Sequence, residues 1–370
     1  MKKLIKICKK DIPFLMDSSS LWSHSFLPIS KHRLWAHYNN PRCEDEDLVM
    51  LLAYLGDEMI GYMGVYTDVI KINESEQKIG WLSTWWVHPK TKGTGIGRML
   101  LNTMYEEWNG KIGISQFTDS AKRVYDKSGY FMSLKNNKGI KAVMKANFSD
   151  VFPVLFPKLS FLMPLYIFSD FILNVFLNFK IYFLKFPIQR RLKDVTIEYL
   201  PYPDSEVRTL IDQYGKNDIS YKDNAFFNWL KTYKWVYEAP LIPYTDKNLY
   251  AFSMYDKSFE YFFVRINVKE KCKGFLVLQK RGVVLKVLFA YYDCKNNAKL
   301  MADIINLHAI KLKIREIICY ETEIVEHIFK STLFLYKKKR VKKSIISKSF
   351  GVDNFEDKRV NYGDGDCAFA

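Results

Sequence analysis

VHPKTKGTGIGRML, residues 87–100, decides how this chain reads. A β-rich run, IGWLSTWWV (79–87), leads into it and stops at Pro89. Gly93, Gly95 and Gly97 then open directly into an amphipathic helix expected over 97–108, with Met99, Leu100, Thr103 and Met104 along it. Glycines let the backbone turn tightly and present successive N–H groups, and the positive end of the helix dipole stands behind them. The result is a cradle for an anion, and a pyrophosphate is its natural ligand. A P-loop is excluded because no Lys-Ser/Thr pair follows the last glycine, and the GxGxG spacing lacks the extra residue of a dinucleotide fingerprint.

Working outward, strand-like runs at 47–55 and 59–70 join through Gly56-Asp57-Glu58, a hairpin signal. A strand at 111–117 follows the glycine-led helix, then a helix at 120–127 ended by Gly129, then strands at 130–134 and 141–145 that close an α/β unit. A similar order recurs later. Strands are expected at 250–254, 261–267, 274–279 and 283–291, a helix at 297–312, a strand at 316–319, a helix at 322–330, and strand pieces near Leu333 and Ile345. The strand at 283–291 leads not into glycines but into Asp293-Cys294-Lys295-Asn296-Asn297-Ala298, so no phosphate loop is expected there. The reading is three parts: 1–148 with the glycine loop, a helical linker at 149–193, and a second, degenerate copy at 194–370.

Two motifs resemble the GNAT acyltransferase superfamily. One is the strand, Pro89 and Lys92-Gly93-Thr94-Gly95-Ile96-Gly97, with Lys92 where Gln or Arg is usual. The other is AKRVYDKSGYF, 121–131, similar to the segment in which a tyrosine, here Tyr125, faces the coenzyme A sulfur. The resemblance covers roughly residues 47–146. It implies tandem GNAT-like domains with a mixed, largely antiparallel sheet flanked by helices. It also implies acetyl-CoA or another acyl-CoA as co-substrate, held by Trp86, Val87, Lys92, Gly93, Thr94, Gly95, Ile96, Gly97 and Arg98. An amine attacks the thioester, backbone N–H groups around Trp86 and Val87 polarise its carbonyl, and Tyr125 protonates the thiolate. Lys90, Lys122 and Arg123 are further candidates for the phosphates.

The strand carries no carboxylate to serve as base, where many relatives have a glutamate. The segment 21–42 holds His24, His32 and His37, whose ordinary pKa suits a base near neutral pH. His24 is favoured because Trp22 and Phe26 flank it, and the three histidines do not form a metal set. Trp81, Trp85 and Trp86 read as core or as stacking platforms for a sugar or base.

The chain has 370 residues, 48% hydrophobic and 16% aromatic, which excludes a disordered protein. Six cysteines without a CxxC pair read as reduced thiols, and the N-terminus lacks a signal-peptide pattern, so a cytoplasmic protein is expected. A net charge of +16 suits an anionic partner. Residues 151–193 carry an amphipathic helix, but Lys, Asp and Pro break every apolar run short of a membrane span. The leading expectation is a helix pair packed between the two domains, with peripheral contact to an anionic membrane or a homodimer interface as the others. The basic run 336–343 reads as a charged hairpin rather than a nucleic-acid contact, and 363–366 (Gly-Asp-Gly-Asp) as a turn. AFFNWLKTYKW, 225–235, weakly resembles companion domains of bacterial acyltransferases associated with surface polysaccharides. The acceptor expected is a small-molecule amine, with an amino sugar, free or nucleotide-linked, favoured over a protein lysine or a small polyamine. The alternatives are an acyl-CoA-binding regulatory module without turnover and a membrane-surface scaffold.

Overall fold

The computed structural model describes residues 2–18, 28–73, 75–238 and 255–369. His24 and the strand expected at 250–254 lie outside the described residues. The first half runs β1 (Lys2–Cys8), α1 (Ile12–Asp17), α2 (Lys31–Tyr38), β2 (Leu48–Leu55), β3 (Glu58–Ile72), β4 (Ser75–Val87), α3 (Ile96–Glu107), β5 (Ile112–Ile114), α4 (Asp119–Ser128) and β6 (Phe131–Val143). Two helices follow, α5 (Phe148–Leu155) and α6 (Met163–Arg191). The second half runs β7 (Val195–Leu200), α7 (Ser205–Tyr214), α8 (Asn224–Thr232), the short β8 (Tyr237–Glu238) and β9 (Tyr255–Asp256), β10 (Phe259–Val268), β11 (Lys271–Arg281), β12 (Val284–Tyr292), α9 (Cys294–Lys311), β13 (Glu316–Cys319), α10 (Thr322–Lys330) and β14 (Tyr336–Ser347).

Twelve of these strands make one sheet, in the order β1-β2-β3-β4-β5-β14-β6-β13-β12-β11-β10-β7. The repeat inferred from element order is therefore present, but its halves are exchanged at the centre. β14, from the second half, lies between β5 and β6 of the first, and β6 lies between β14 and β13. The pair runs antiparallel from Tyr336↔Val143 to Ser347↔Phe131. This corrects two expectations. A single strand, β6, replaces the two at 130–134 and 141–145, because the intervening Asn136-Asn137-Lys138-Gly139 is held extended by pairing along β14. The basic run 336–343 is not a hairpin but part of β14, its backbone committed on the ladder while most of its side chains stay in solvent.

Each half has one parallel strand pair that meets briefly and then diverges. β4 joins β5 only at Gly80↔Ile112 and Trp81↔Gly113. β12 joins β13 only from Val284↔Glu316 to Lys286↔Ile318. The core between the halves is aromatic. Tyr66 stacks on Trp229 with ring centroids 5.7 Å apart, and Phe369 stacks on Trp235 at 4.3 Å.

The linker also departs from expectation. Asp170, Lys180 and Lys185 do not interrupt α6, and Pro164 stands in its first turn, where a missing N–H costs no helical bond. The segment Pro157–Arg191 is long and apolar enough to cross a membrane by length and composition. It does not pack between the domains: Leu177, Ile181 and Ile188 turn inward, while Phe168, Phe176, Phe179 and Phe183 stand in solvent.

Candidate active site

The opening between β4 and β5 is built by the strand chemistry of β4. Its ladder with β3 shifts register between Gly64 and Val65, opposite Thr84 and Leu82, which leaves Ser83 as the bulged residue. The shift changes which residues face α3: Gly80 and Leu82 before it, Trp85 and Val87 after it. Beyond Trp81, β4 has no partner on its β5 side among the described residues. His88 donates its N–H to the Ile60 carbonyl on β3 at 2.9 Å. Backbone groups of an antiparallel strand alternate, so Trp86 also turns its N–H to β3, and Val87 and Trp85 turn theirs into the opening. The polarising N–H groups expected around Trp86 and Val87 are thus those of Val87 and Trp85. The side chain of Trp86 stacks on Tyr62 on the opposite face, with centroids 5.7 Å apart.

The glycine loop sits where β4 ends. Gly93 and Gly95 both have φ of +83°, a region that strains any residue with a Cβ, and no atom lies within 4 Å of where their Cβ would be. Gly97 has a different job: its Cβ would come within 3.1 Å of the Trp85 ring, so its smallness lets the first turn of α3 close on β4. Ile96 is buried, whereas Lys92 and Arg98 are exposed and, among the described residues, make no ion pair. Lys2 also reaches the loop, donating to the Thr94 carbonyl at 3.2 Å. Lys90 and Lys122 are engaged with Glu58 and Asp126. The loop is open and flanked by the Lys92 and Arg98 cations, which fits a pyrophosphate. On β4 beside the opening, the Trp85 Nε1 and Ser83 Oγ are buried without a hydrogen-bond partner. Orphaned polar groups of this kind suit a ligand that carries its own amide and carbonyl groups.

Tyr125 lies on α4 with 4% of its surface exposed, its ring 5.3 Å from that of Trp85. Burial, aided by the Asp366 carboxyl, holds its hydroxyl well above the ordinary value, so it is a proton donor at neutral pH. Asp366 is the residue that the sequence reading missed. The Ser115 hydroxyl, one residue beyond β5, donates to it. Gly365 beside it has no room for a Cβ, which would lie 2.6 Å from Ser115 and 3.3 Å from Trp81. Burial raises the pKa of Asp366, and Ser115, Arg33 on α2 and Lys342 on β14 oppose the rise. A carboxylate therefore stands at the apex of the opening although β4 carries none from Gln77 to Val87. In the sequence it looked like half of a glycine-rich turn, and no local pattern says that 361–369 folds back across the sheet.

The other histidines have structural posts. His32 contacts the Trp235 carbonyl at 2.8 Å and Ser30 Oγ at 3.1 Å, and His37 is buried against the Trp235 ring. Trp81 is fully buried and donates to Asp68. The second opening, between β12 and β13, is filled by the chain itself. Gly363 donates its N–H to the Leu288 carbonyl at 3.0 Å, and Arg359 donates to the Ala290 carbonyl at 2.6 Å. With neither a glycine loop nor a free edge, that half is closed to the same ligand.

Residues 15–130 match the model of the acetyltransferase (GNAT) family. That stretch, about a third of the chain, is similar to the acyl-CoA-dependent N-acyltransferases of that family. No curated protein matches the sequence. Among solved structures, the chain is similar to a GCN5-related N-acetyltransferase from Anabaena variabilis at 10% identity, over 94% of this chain and 72% of that one, with a TM-score of 0.49. It is similar to a probable N-acyltransferase from Enterococcus faecalis at 8% identity, over 93% and 72%, with a TM-score of 0.48. A tandem GNAT protein from the clavulanic acid biosynthesis pathway aligns over 94% of this chain and 98% of that one, at 6% identity and a TM-score of 0.49.

Proposed function

We propose that the protein transfers an acetyl or other acyl group from acyl-CoA to the primary amine of an amino sugar, using the opening between β4 and β5. The observation that carries this reading is an asymmetry. Of the two strand divergences, one is filled by residues 359–363, and the other stays open beside a left-handed Gly93/Gly95 loop. Lys92, Arg98 and the loop N–H groups hold the pyrophosphate, and acyl-CoA supplies the thioester. The Val87 and Trp85 N–H groups take the charge that develops on its carbonyl oxygen. Tyr125 holds the proton that the departing sulfur needs. Asp366, in place of the expected His24, accepts the proton that the amine loses. Arg33 and Trp235 (the guanidinium lies 3.9 Å from the ring centroid) wall the side from which the acceptor enters.

The basic run on β14 leads away from this site and supports an acceptor that carries phosphate, such as a nucleotide-linked amino sugar. The test is a screen of amino sugars and their nucleotide conjugates for release of free coenzyme A. Turnover with an amino sugar, lost in a Gly95→Glu variant, is the expected result. Tight acetyl-CoA binding with no turnover on any amine would instead favour a regulatory module.

A further inference from the structure

The outer face of α6 is apolar along its length and stands uncovered by the described residues. Phe168, Ile172, Val175, Phe179, Phe183 and Phe186 recur at three- and four-residue steps and fall on one side of the helix. Their exposure is high: 61% for Phe168, 64% for Phe179 and 65% for Phe183. Leu177, Ile181 and Ile188, on the opposite side, are buried, and Ile181 and Ile188 pack into the core with α9. A stripe of this size on a soluble surface marks a contact.

The charges around it select the partner. At 100° per residue, Lys180 and Lys185 project on opposite sides of the stripe. Residues 151–193 contain six basic side chains and a single acid, Asp170. That acid is spent internally, accepting the N–H groups of Phe148 and Ser149 at the start of α5. A second copy of this chain seated stripe to stripe would set lysines against lysines with no acid between them. An anionic bilayer offers apolar depth under the phenylalanines and phosphates beside the lysines.

The topology says how the helix sits. Its 29 residues would be about 43 Å long, enough to span. Both flanking strands, β6 and β7, belong to the same sheet, and Asn174 and Arg191 of α6 are tied to the body through the Ala146 backbone and Asp303. A crossing would put the two ends of the helix on opposite sides of the membrane, which one sheet cannot allow. We infer that α6 lies in the plane of an anionic membrane surface, with the Phe168–Phe183 stripe immersed and Lys180 and Lys185 at the headgroups, so that the enzyme is a one-leaflet peripheral protein.

The test is co-sedimentation of the full chain with phosphatidylcholine vesicles and with vesicles that also contain phosphatidylglycerol. The wild type is compared with a Phe168→Glu/Phe179→Glu/Phe183→Glu variant and with Lys180→Gln/Lys185→Gln. The expected result is binding to the anionic vesicles, weakened at least about tenfold in either variant. Because the substituted side chains are exposed or, at Lys185, half-buried, unchanged far-UV circular dichroism and unchanged acetyl-CoA binding are expected of both. Failure of the wild type to pellet with anionic vesicles would overturn the inference. So would a wild-type dimer in sedimentation velocity that the phenylalanine variant turns into a monomer. Acetyl-CoA binding, measured on the same samples, reports separately on the proposed acyl transfer.

Discussion

The Lys222 ammonium lies 3.2 Å from a carboxylate oxygen of Asp68 on β3 and 3.2 Å from one of Asp364, with all three side chains at most 1% exposed. It also donates to Ser220 at 2.7 Å, and Arg42 pairs with Asp68 from the other side. The contact with Asp364 has ion-pair distance but not hydrogen-bond geometry. This cluster fastens four stretches of chain: β3, the loop between α2 and β2, the loop before α8, and the returning segment that carries Asp366.

Removing the cation from such a cluster leaves carboxylates buried without a counter-charge. Lys222→Met is expected to cost about 3–5 kcal/mol of unfolding free energy, measured by urea titration. A loss under about 1 kcal/mol would mean that Arg42 alone compensates Asp68.

The β6–β14 exchange makes the two halves one folding unit. Ile346 on β14 is fully buried in the aromatic core with Trp81. Ile346→Ala is expected to cost about 2–5 kcal/mol. The variant and the wild type should each lose tryptophan fluorescence and far-UV ellipticity in one coincident transition. Two separated transitions would show that the halves unfold independently.

Burial, reinforced by Arg33, lowers the pKa of His37 to about 3. The unfolded chain takes up a proton near pH 6.5 that the folded chain refuses. The contribution of His37 to stability is therefore complete above that pH. It is lost as pH falls toward 3, by about 1.4 kcal/mol per pH unit. Asp218, pushed up to about 7 by burial, works in the opposite direction over part of the range. The readout is therefore the difference between wild type and His37→Gln, and the variant should lack that share of the acid slope. Identical slopes would refute a buried neutral imidazole.

Asp366→Asn tests the base. The expected loss in kcat is about a hundredfold or more, with acetyl-CoA affinity unchanged. In the wild type, activity should fall as acid protonates a carboxyl whose pKa burial has raised, and the variant should lose that limb of the pH profile. The groups facing Asp366 are Ser115, Tyr125, Arg33, Lys342, Tyr362 and Lys286, the last lowered by burial to about 8. A basic limb from Lys286 would persist in the variant. An unchanged pH profile would remove Asp366 from the chemistry.

What was legible in the sequence followed local signals. Gly129 falls at the left-handed cap of α4, and the strand expected at 316–319 and the helix expected at 322–330 coincide with β13 and α10. The glycine loop could be read because Gly93 and Gly95 need a backbone conformation that few residues tolerate. Long-range pairing left no such mark. Nothing in Lys337-Lys338-Lys339-Arg340 says that its backbone completes the other half's sheet, and nothing in Gly-Asp-Gly-Asp says that Asp366 meets Ser115, 251 residues away. The apolar stripe of α6 was visible as a period, but whether it faced a core depended on the packing of α9 against its other side.

The most direct test of the central claim is calorimetry of acetyl-CoA with the wild type and with Gly95→Glu. A glutamate there meets a φ of +83° and sets a negative charge beside the pyrophosphate cradle. One binding site in the wild type, lost in a variant that stays folded, is the result expected. Equal binding by both proteins, or none by the wild type, would contradict a site at this loop.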